Sequence, residues 1–156
     1  VQTCALPICG DVVSQVRYSK DKVFSPVIEK GTADIVVSFE EMEALRTLEY
    51  LKPDGAVVVN TERIPSMTVL TGAEEYADDI IEEIKKAVER VHTLNASQLA
   101  ADLGNVKAAN VILLGALVKL MGLEDIDWPD IIRKNVKEKF VDLNLKAFQV
   151  GMDAVK

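Results

Sequence analysis

Residues 34–60 read DIVVSFEEMEALRTLEYLKPDGAVVVN, and this stretch sets the fold class. Asp34–Phe39 is a short apolar run, the pattern of a parallel strand covered on both faces. Glu40–Leu51 places Met42, Leu45, Leu48 and Leu51 at helical spacing. Its first turn holds Glu40, Glu41 and Glu43, where the positive end of the helix dipole favours acids. Lys52–Gly55 (KPDG) reads as a turn, with Pro presetting φ and Gly supplying freedom. Ala56–Asn60 is a second apolar strand. Strand, helix and strand make a β-α-β unit, for which a right-handed crossover is the default.

Toward the N-terminus, Asp11–Ser19 alternates. Val12, Ser14, Val16 and Tyr18 share one side, and Val13, Gln15 and Arg17 the other, as in a strand with one mixed face. Lys20–Lys22 reads as a polar turn, with Val23–Ser25 continuing the sheet until Pro26. Toward the C-terminus, Thr61–Gly72 is a loop or an edge strand. Glu74–Arg90 reads as an amphipathic helix with the stripe Ala77, Ile80, Ile81, Ile84, Val88 and Val91. Val91–Leu94 reads as a further strand. Asn95 with Gln98 resembles a capping box opening a short helix that ends at Gly104. Asn105 caps the helix Val106–Met121, in which Ala108, Gly115 and Gly122 recur every seven residues. A stripe that small lets another backbone approach closely. Asn110 lies on this apolar helix and is expected to be a buried polar anchor. Asp127 caps a further helix with Pro129 in its first turn. The last helix carries Val141, Leu145, Phe148, Met152 and Val155 at 4-3-4-3 spacing, one docking face. The expectation is an α/β, Rossmann-like layered fold with a mostly parallel sheet and a helical C-terminal half.

A chain of 156 residues is one domain in size. Its formal charge of −7, with no cluster of Lys and Arg, argues against a nucleic-acid partner. The longest apolar run, Val111–Val118, falls far short of the ~20 residues of a membrane span. A cytoplasmic domain is the expectation. Cys4 and Cys9 are the two cysteines, too few for the four thiolates of an iron–sulfur cluster. They read as incidental thiols in an unstructured leader. No G-x-G-x-x-G and no G-x-x-x-x-G-K-[ST] occurs, so the sheet lacks the first strand and Gly-rich loop usual in its class.

In open α/β sheets, ligands bind outside the carboxyl ends of the strands. Ser38 and Glu40 follow one strand there, and Asn60 and Thr61 the next. These four are the candidate binding residues, one side of a crevice. The competing reading is structural: Glu40 favours its helix start and Asn60 holds a turn. No spacing points to a catalytic group or a metal site, and His92, the single histidine, reads as a strand-edge residue.

The segments DVVSQVRYS (11–19), VFSPVIEKGTADIVVSFEEMEALRTLEYLKPDGAVVVNT (23–61), GNVKAANVILLGAL (104–117) and NLKAF (144–148), in this order, resemble the gamma-type domain of 2-oxoacid:ferredoxin oxidoreductases. The indolepyruvate-specific branch is the most similar. The resemblance runs from Gly10 to about Gly151. It implies a subunit of a thiamine-diphosphate-dependent enzyme that converts indolepyruvate, coenzyme A and oxidised ferredoxin to indoleacetyl-CoA, carbon dioxide and reduced ferredoxin. Thiamine diphosphate, magnesium and iron–sulfur clusters are then expected on a large alpha subunit, the partner, with none on this chain. Members specific for pyruvate, branched-chain oxoacids or 2-oxoglutarate share the domain. An alternative from another class is a stand-alone domain binding coenzyme A or a nucleotide at the strand-end crevice. The family begins with a strand, a G-x-G-G-Q-G loop and a segment ending Q-R-G-G, of which Gly10 alone matches. Residues 1–9 are accordingly expected to be a foreign or disordered leader. Residues 10–156 are expected to be an N-terminally truncated gamma-type domain, inactive on its own.

Overall fold

The computed structural model describes residues 2–8, 11–73 and 75–155. Its centre is a parallel three-stranded sheet of β3 (Ala33–Ser38), β4 (Leu51–Asn60) and β5 (Arg90–Leu94), with β4 in the middle. Ile35–Ser38 lie opposite Ala56–Val59, and Ala56–Asn60 opposite Arg90–Leu94. The apolar run Val57–Val59 is fully buried because helices cover both faces of the central strand.

Side chains alternate across a strand, so the valines divide between the two faces. Val57 and Val59 pack with Ala44 of α1 (Glu41–Thr47) and with Ile80 and Ile84 of α3 (Ile80–Ala87). Val58 points the other way, into a core with α4 (Ala96–Asp102), α5 (Ala109–Met121) and α7 (Val141–Asp153). The remaining helices are α2 (Met67–Leu70) and α6 (Trp128–Asn135). Trp128 of α6 stacks on Phe148 of α7 at 5.8 Å, closing a third apolar cluster with Val118 and Ile132. The expected α/β class with a parallel sheet and a helical C-terminal half is what the chain adopts.

Sequence and structure part at several places. KPDG is not a turn between helix and strand. A 3-10 turn at Leu48–Tyr50 makes the reversal, and β4 opens at Leu51 opposite Ala33. Between the Ala33–Leu51 and Ile35–Ala56 pairs the register slips, and Lys52–Gly55 bulges out of the ladder, where Lys52 reaches Asp34 at 2.8 Å. Residues 18–32 contain no strand, so Val23–Ser25 do not extend the sheet. Strand β2 (Asp11–Arg17) instead pairs antiparallel with β1 (Gln2–Ile8), where the sequence suggested an unstructured leader. Cys4 falls in β1 opposite Gln15; Cys9 and Gly10 lie outside the described residues. The polar Gln15 is turned inward and its Oε1 accepts from the Ile28 amide at 2.8 Å, leaving Val12 and Val16 exposed.

The helix expected over Glu74–Arg90 is α3 alone, and Ala77 is exposed. Side-chain bonds from Tyr76 and to the Asp78 carbonyl hold the preceding backbone out of the helix. Arg90 already belongs to β5. The caps at Asn95, Asn105 and Asp127 form as the sequence indicates, accepting from the amides of Gln98, Lys107 and Asp130.

The small-residue stripe is corrected in one member, Gly122. Gly115 is a contact point: a Cβ there would sit 2.1 Å from the Phe148 carbonyl oxygen. Its counterpart is Gly151, where a Cβ would meet the Ile112 carbonyl oxygen at 1.8 Å. Helices α5 and α7 therefore cross backbone against backbone. Gly122 does not join them. It caps α5 with φ +62°, a left-handed conformation that glycine adopts without strain. Asn110 is exposed, because α5 buries the side bearing Ile112, Leu113, Gly115, Ala116 and Val118.

The two kinds of glycine separate by experiment. Gly151→Ala should lower the unfolding free energy by about 3 kcal/mol, since the carbonyl oxygen, carbonyl carbon and Cα of Ile112 in its way are all backbone. Gly122→Ala, facing open space, should cost about 1 kcal/mol through φ alone. Urea denaturation of the two variants reads the difference.

Candidate functional site at the carboxyl ends of the strands

Strand β4 ends on Asn60, which is 1% exposed and bonded in every direction. Its Nδ2 donates to the Phe39 carbonyl at 3.0 Å, and lies 3.2 Å from both Glu62 Oε2 and Ser97 Oγ. Its Oδ1 accepts from the Ala96 amide at 2.9 Å. One amide thus ties the ends of β3 and β4 to the start of α4. Ser97 Oγ donates to Glu62 and closes the ring. Thr61, half-buried, adds a backbone bond to the Leu94 carbonyl at 3.0 Å.

On the other side of this end, Ser38 Oγ donates to the Glu40 carbonyl at 2.7 Å. Glu40 is the N-cap of α1: its Oε2 accepts from the Glu43 amide at 3.0 Å. Its Oε1 accepts from the Tyr76 hydroxyl and from the Ile64 amide. Burial pushes the Tyr76 phenol well above its ordinary range, and the bond to Glu40 and the charges of Glu40 and Glu41 add to the shift. Tyr76 therefore stays a protonated donor at any physiological pH. Glu41, also buried, pairs with Arg63 Nε at 2.8 Å. Arg63 donates onward to the Asp78 carbonyl at 2.8 Å and lies over the Tyr76 ring at 5.4 Å.

The four residues singled out in the sequence do converge here, and Ser38, Glu40 and Asn60 are buried. The polar atoms of those three make bonds within the fold, so the structural role and the crevice coincide. Beside Glu40 lies a cleft of about 260 Å³. Met42, Glu43 and Arg46 of α1 line it on one side, and Ile64, Ser66 and Tyr76 on the other.

Glu41, Glu62, Arg63, Tyr76 and Ser97 complete the network and were not singled out. The polar run Asn60–Thr61–Glu62–Arg63 after an apolar strand held a signal for two of them. Tyr76 carried none, since the periodicity assigned it to a helix. His92 sits in the outer strand β5, half-buried opposite Val58. Burial, aided by Arg90, holds its pKa below the ordinary value. Among the described residues, no three His, Cys, Asp or Glu side chains converge on a point suited to a metal ion, and no helix is long and apolar enough to cross a membrane.

Fold and strand-end site are those of a layered α/β domain, and comparison with known proteins narrows the class. The chain belongs to the pyruvate ferredoxin/flavodoxin oxidoreductase family, matching it over residues 8–154. It is 39% identical over 154 residues to the indolepyruvate oxidoreductase subunit IorB of Pyrococcus horikoshii, covering 94% of this chain and 75% of that one. The fold recurs in solved structures, two of which are similar over most of this chain. One is the gamma subunit of a keto/oxoacid ferredoxin oxidoreductase from Geobacter sulfurreducens, with TM-score 0.58 and 24% identity, covering 82% of this chain and 67% of that one. The other is the 2-oxoglutarate:ferredoxin oxidoreductase of Magnetococcus marinus, with TM-score 0.63 and 20% identity, covering 87% of this chain and 21% of that one.

Replacing Asn60 by Asp tests the junction with almost no change in shape. The variant keeps the acceptor for the Ala96 amide, loses both donors and sets a carboxylate against Glu62. The expected loss is about 2–4 kcal/mol at neutral pH. Repulsion raises the folded-state pKa of the shared carboxylates above the unfolded value, so the charge penalty is absent at low pH and grows as pH rises. Urea denaturation at two pH values should show the deficit shrinking on acidification.

Proposed function

We propose that this chain is the small subunit of a 2-oxoacid:ferredoxin oxidoreductase acting on indolepyruvate. The observation that carries the reading is the identity to an indolepyruvate oxidoreductase subunit along nearly the whole chain. In the overall reaction the bond between the carboxylate and the keto carbon breaks and carbon dioxide leaves. The keto carbon forms a thioester with the sulfur of coenzyme A, the thiol proton is released, and two electrons pass to ferredoxin. The product is indoleacetyl-CoA.

Thiamine diphosphate, with its magnesium ion, and iron–sulfur clusters supply that chemistry from a large partner subunit. An iron–sulfur cluster does not fit this chain alone, which has Cys4 and Cys9 against the four thiolates required. No residue of this chain is assigned a catalytic step. Its contribution is a rigid strand-end face, with Ser38, Glu40, Asn60 and Thr61 shaping the crevice that borders the shared site. The assembly works in the cytoplasm. The strand-end cleft also supports a second reading, a domain that binds coenzyme A or a nucleotide by itself.

Purification of the full-length tagged protein from its source cell discriminates the two. The subunit reading expects a stoichiometric large chain carrying iron and thiamine diphosphate, and no tight binding of coenzyme A to the small chain by calorimetry. A partner-free monomer that binds coenzyme A saturably would contradict it and support the second reading.

A further inference from the structure

Residues 63–79 differ from the rest of the chain in how they are held. Of the described residues among them, all are exposed except Val69 and Tyr76, which are half-buried. Ile64, Met67 and Leu70 turn large apolar side chains to solvent. Hydrophobic burial, the main force that fixes a segment to its domain, is therefore nearly absent here. The backbone bonds of 66–73 close within the segment: Leu70 to Ser66, Thr71 to Met67, Gly72 to Val69 and Ala73 to Thr68. The middle of the segment is a self-contained unit built on the short helix α2.

Its attachment is polar and is concentrated on two adjacent carboxylates at the start of α1. Glu40 takes the Tyr76 hydroxyl from the end of the segment and the Ile64 amide from its beginning. Glu41 takes the Arg63 guanidinium, which also holds the Asp78 carbonyl. Arg63 and Tyr76, 13 positions apart in sequence, meet with the guanidinium over the ring. Both carboxylates are buried and belong to the rigid body, with Glu40 also capping α1. Beyond the two ends the chain is anchored, by Asn60 on one side and by the buried Ile80 on the other. The cleft of about 260 Å³ lies between the segment and α1.

We propose that residues 63–73 and 75–79 form a latched lid, clamped by Glu40 and Glu41 over the carboxyl end of the sheet. The lid opens as a unit when the Tyr76 and Arg63 contacts break, and opening exposes the cleft along α1. The sheet and helices stay folded as it does so, because among the described residues the segment's one contribution to either core is the half-buried ring of Tyr76, at the edge of the cluster of Val57, Val59 and Ile80. Such a lid provides reversible access to the strand-end face with no need for global unfolding. The inference rests on geometry within this chain and is independent of the reaction assigned to the protein.

Native-state proteolysis with thermolysin tests it, on the full-length protein alone and in complex with its partner subunit. When opening is fast relative to cleavage, the rate follows the population of the open form. The wild-type chain should be cut first near Met67–Leu70, at a concentration of urea too low to unfold the sheet. Removing one bond to a carboxylate by Tyr76→Phe should speed that cut about tenfold or more while leaving the urea midpoint of the remaining fold in place. Arg63→Gln should act in the same direction through the other carboxylate. The proposal is overturned by a first cut elsewhere, by cleavage that tracks global unfolding, or by lid cleavage that neither variant accelerates.

Discussion

The side chain of Asn60 is the constraint on which the strand-end region depends. A buried amide offers two donors and an acceptor and must satisfy all of them. Here they go to the end of β3, to the start of α4 and to the Glu62–Ser97 pair. Because these partners lie just after β3, just after β4 and in the first turn of α4, the amide fixes how the three elements meet. An apolar side chain of the same size would fill the space yet leave the Ala96 amide without an acceptor. This residue also converts an ordinary α/β core into one with a defined rim, and the rim is where Glu40, Glu41 and the segment after β4 are gathered.

A second constraint operates on the far side of the sheet. Crossing α5 and α7 at Gly115 and Gly151 brings their backbones into direct contact, leaving no space for a methyl group at either position. This close approach draws Ile112 and Ala147 against the layer beneath β4. The helical half is rigid for steric reasons, whereas the rim is held by hydrogen bonds and ion pairs. That division suits the proposed subunit role, in which the polar rim faces a partner and the other side supplies the scaffold.

The layer order was legible in the sequence because it rests on local pattern. Asp34–Phe39 and Ala56–Asn60 read as strands, of which the second is buried while the first is an edge strand that ends before the exposed Phe39, and the caps at Asn95, Asn105 and Asp127 follow from their own short-range bonds. Gly115 stood out as a small residue on an apolar helix. Its partner Gly151 did not, because nothing in α7's own periodicity says what it crosses. Asn110 misled for the converse reason: an apolar neighbourhood along the chain is not burial in space. Of the rim, Ser38, Glu40, Asn60 and Thr61 were readable from strand ends alone. Tyr76 and Arg63 were not, since their roles come from contacts with Glu40 and Glu41 across 36 and 22 positions of sequence. KPDG carried turn chemistry that the chain uses for a bulge inside β4, a choice set by pairing with β3.

On the proposed reading, this member of the pyruvate ferredoxin/flavodoxin oxidoreductase family completes an enzyme whose redox chemistry lies on a partner subunit. Reconstitution addresses this most directly: ferredoxin reduction is followed with indolepyruvate and coenzyme A, using the purified large subunit with and without the full-length protein. The account predicts little reduction by either alone and restored, indolepyruvate-dependent turnover when they are combined. Full activity of the large subunit by itself, unchanged on adding this protein, would contradict it.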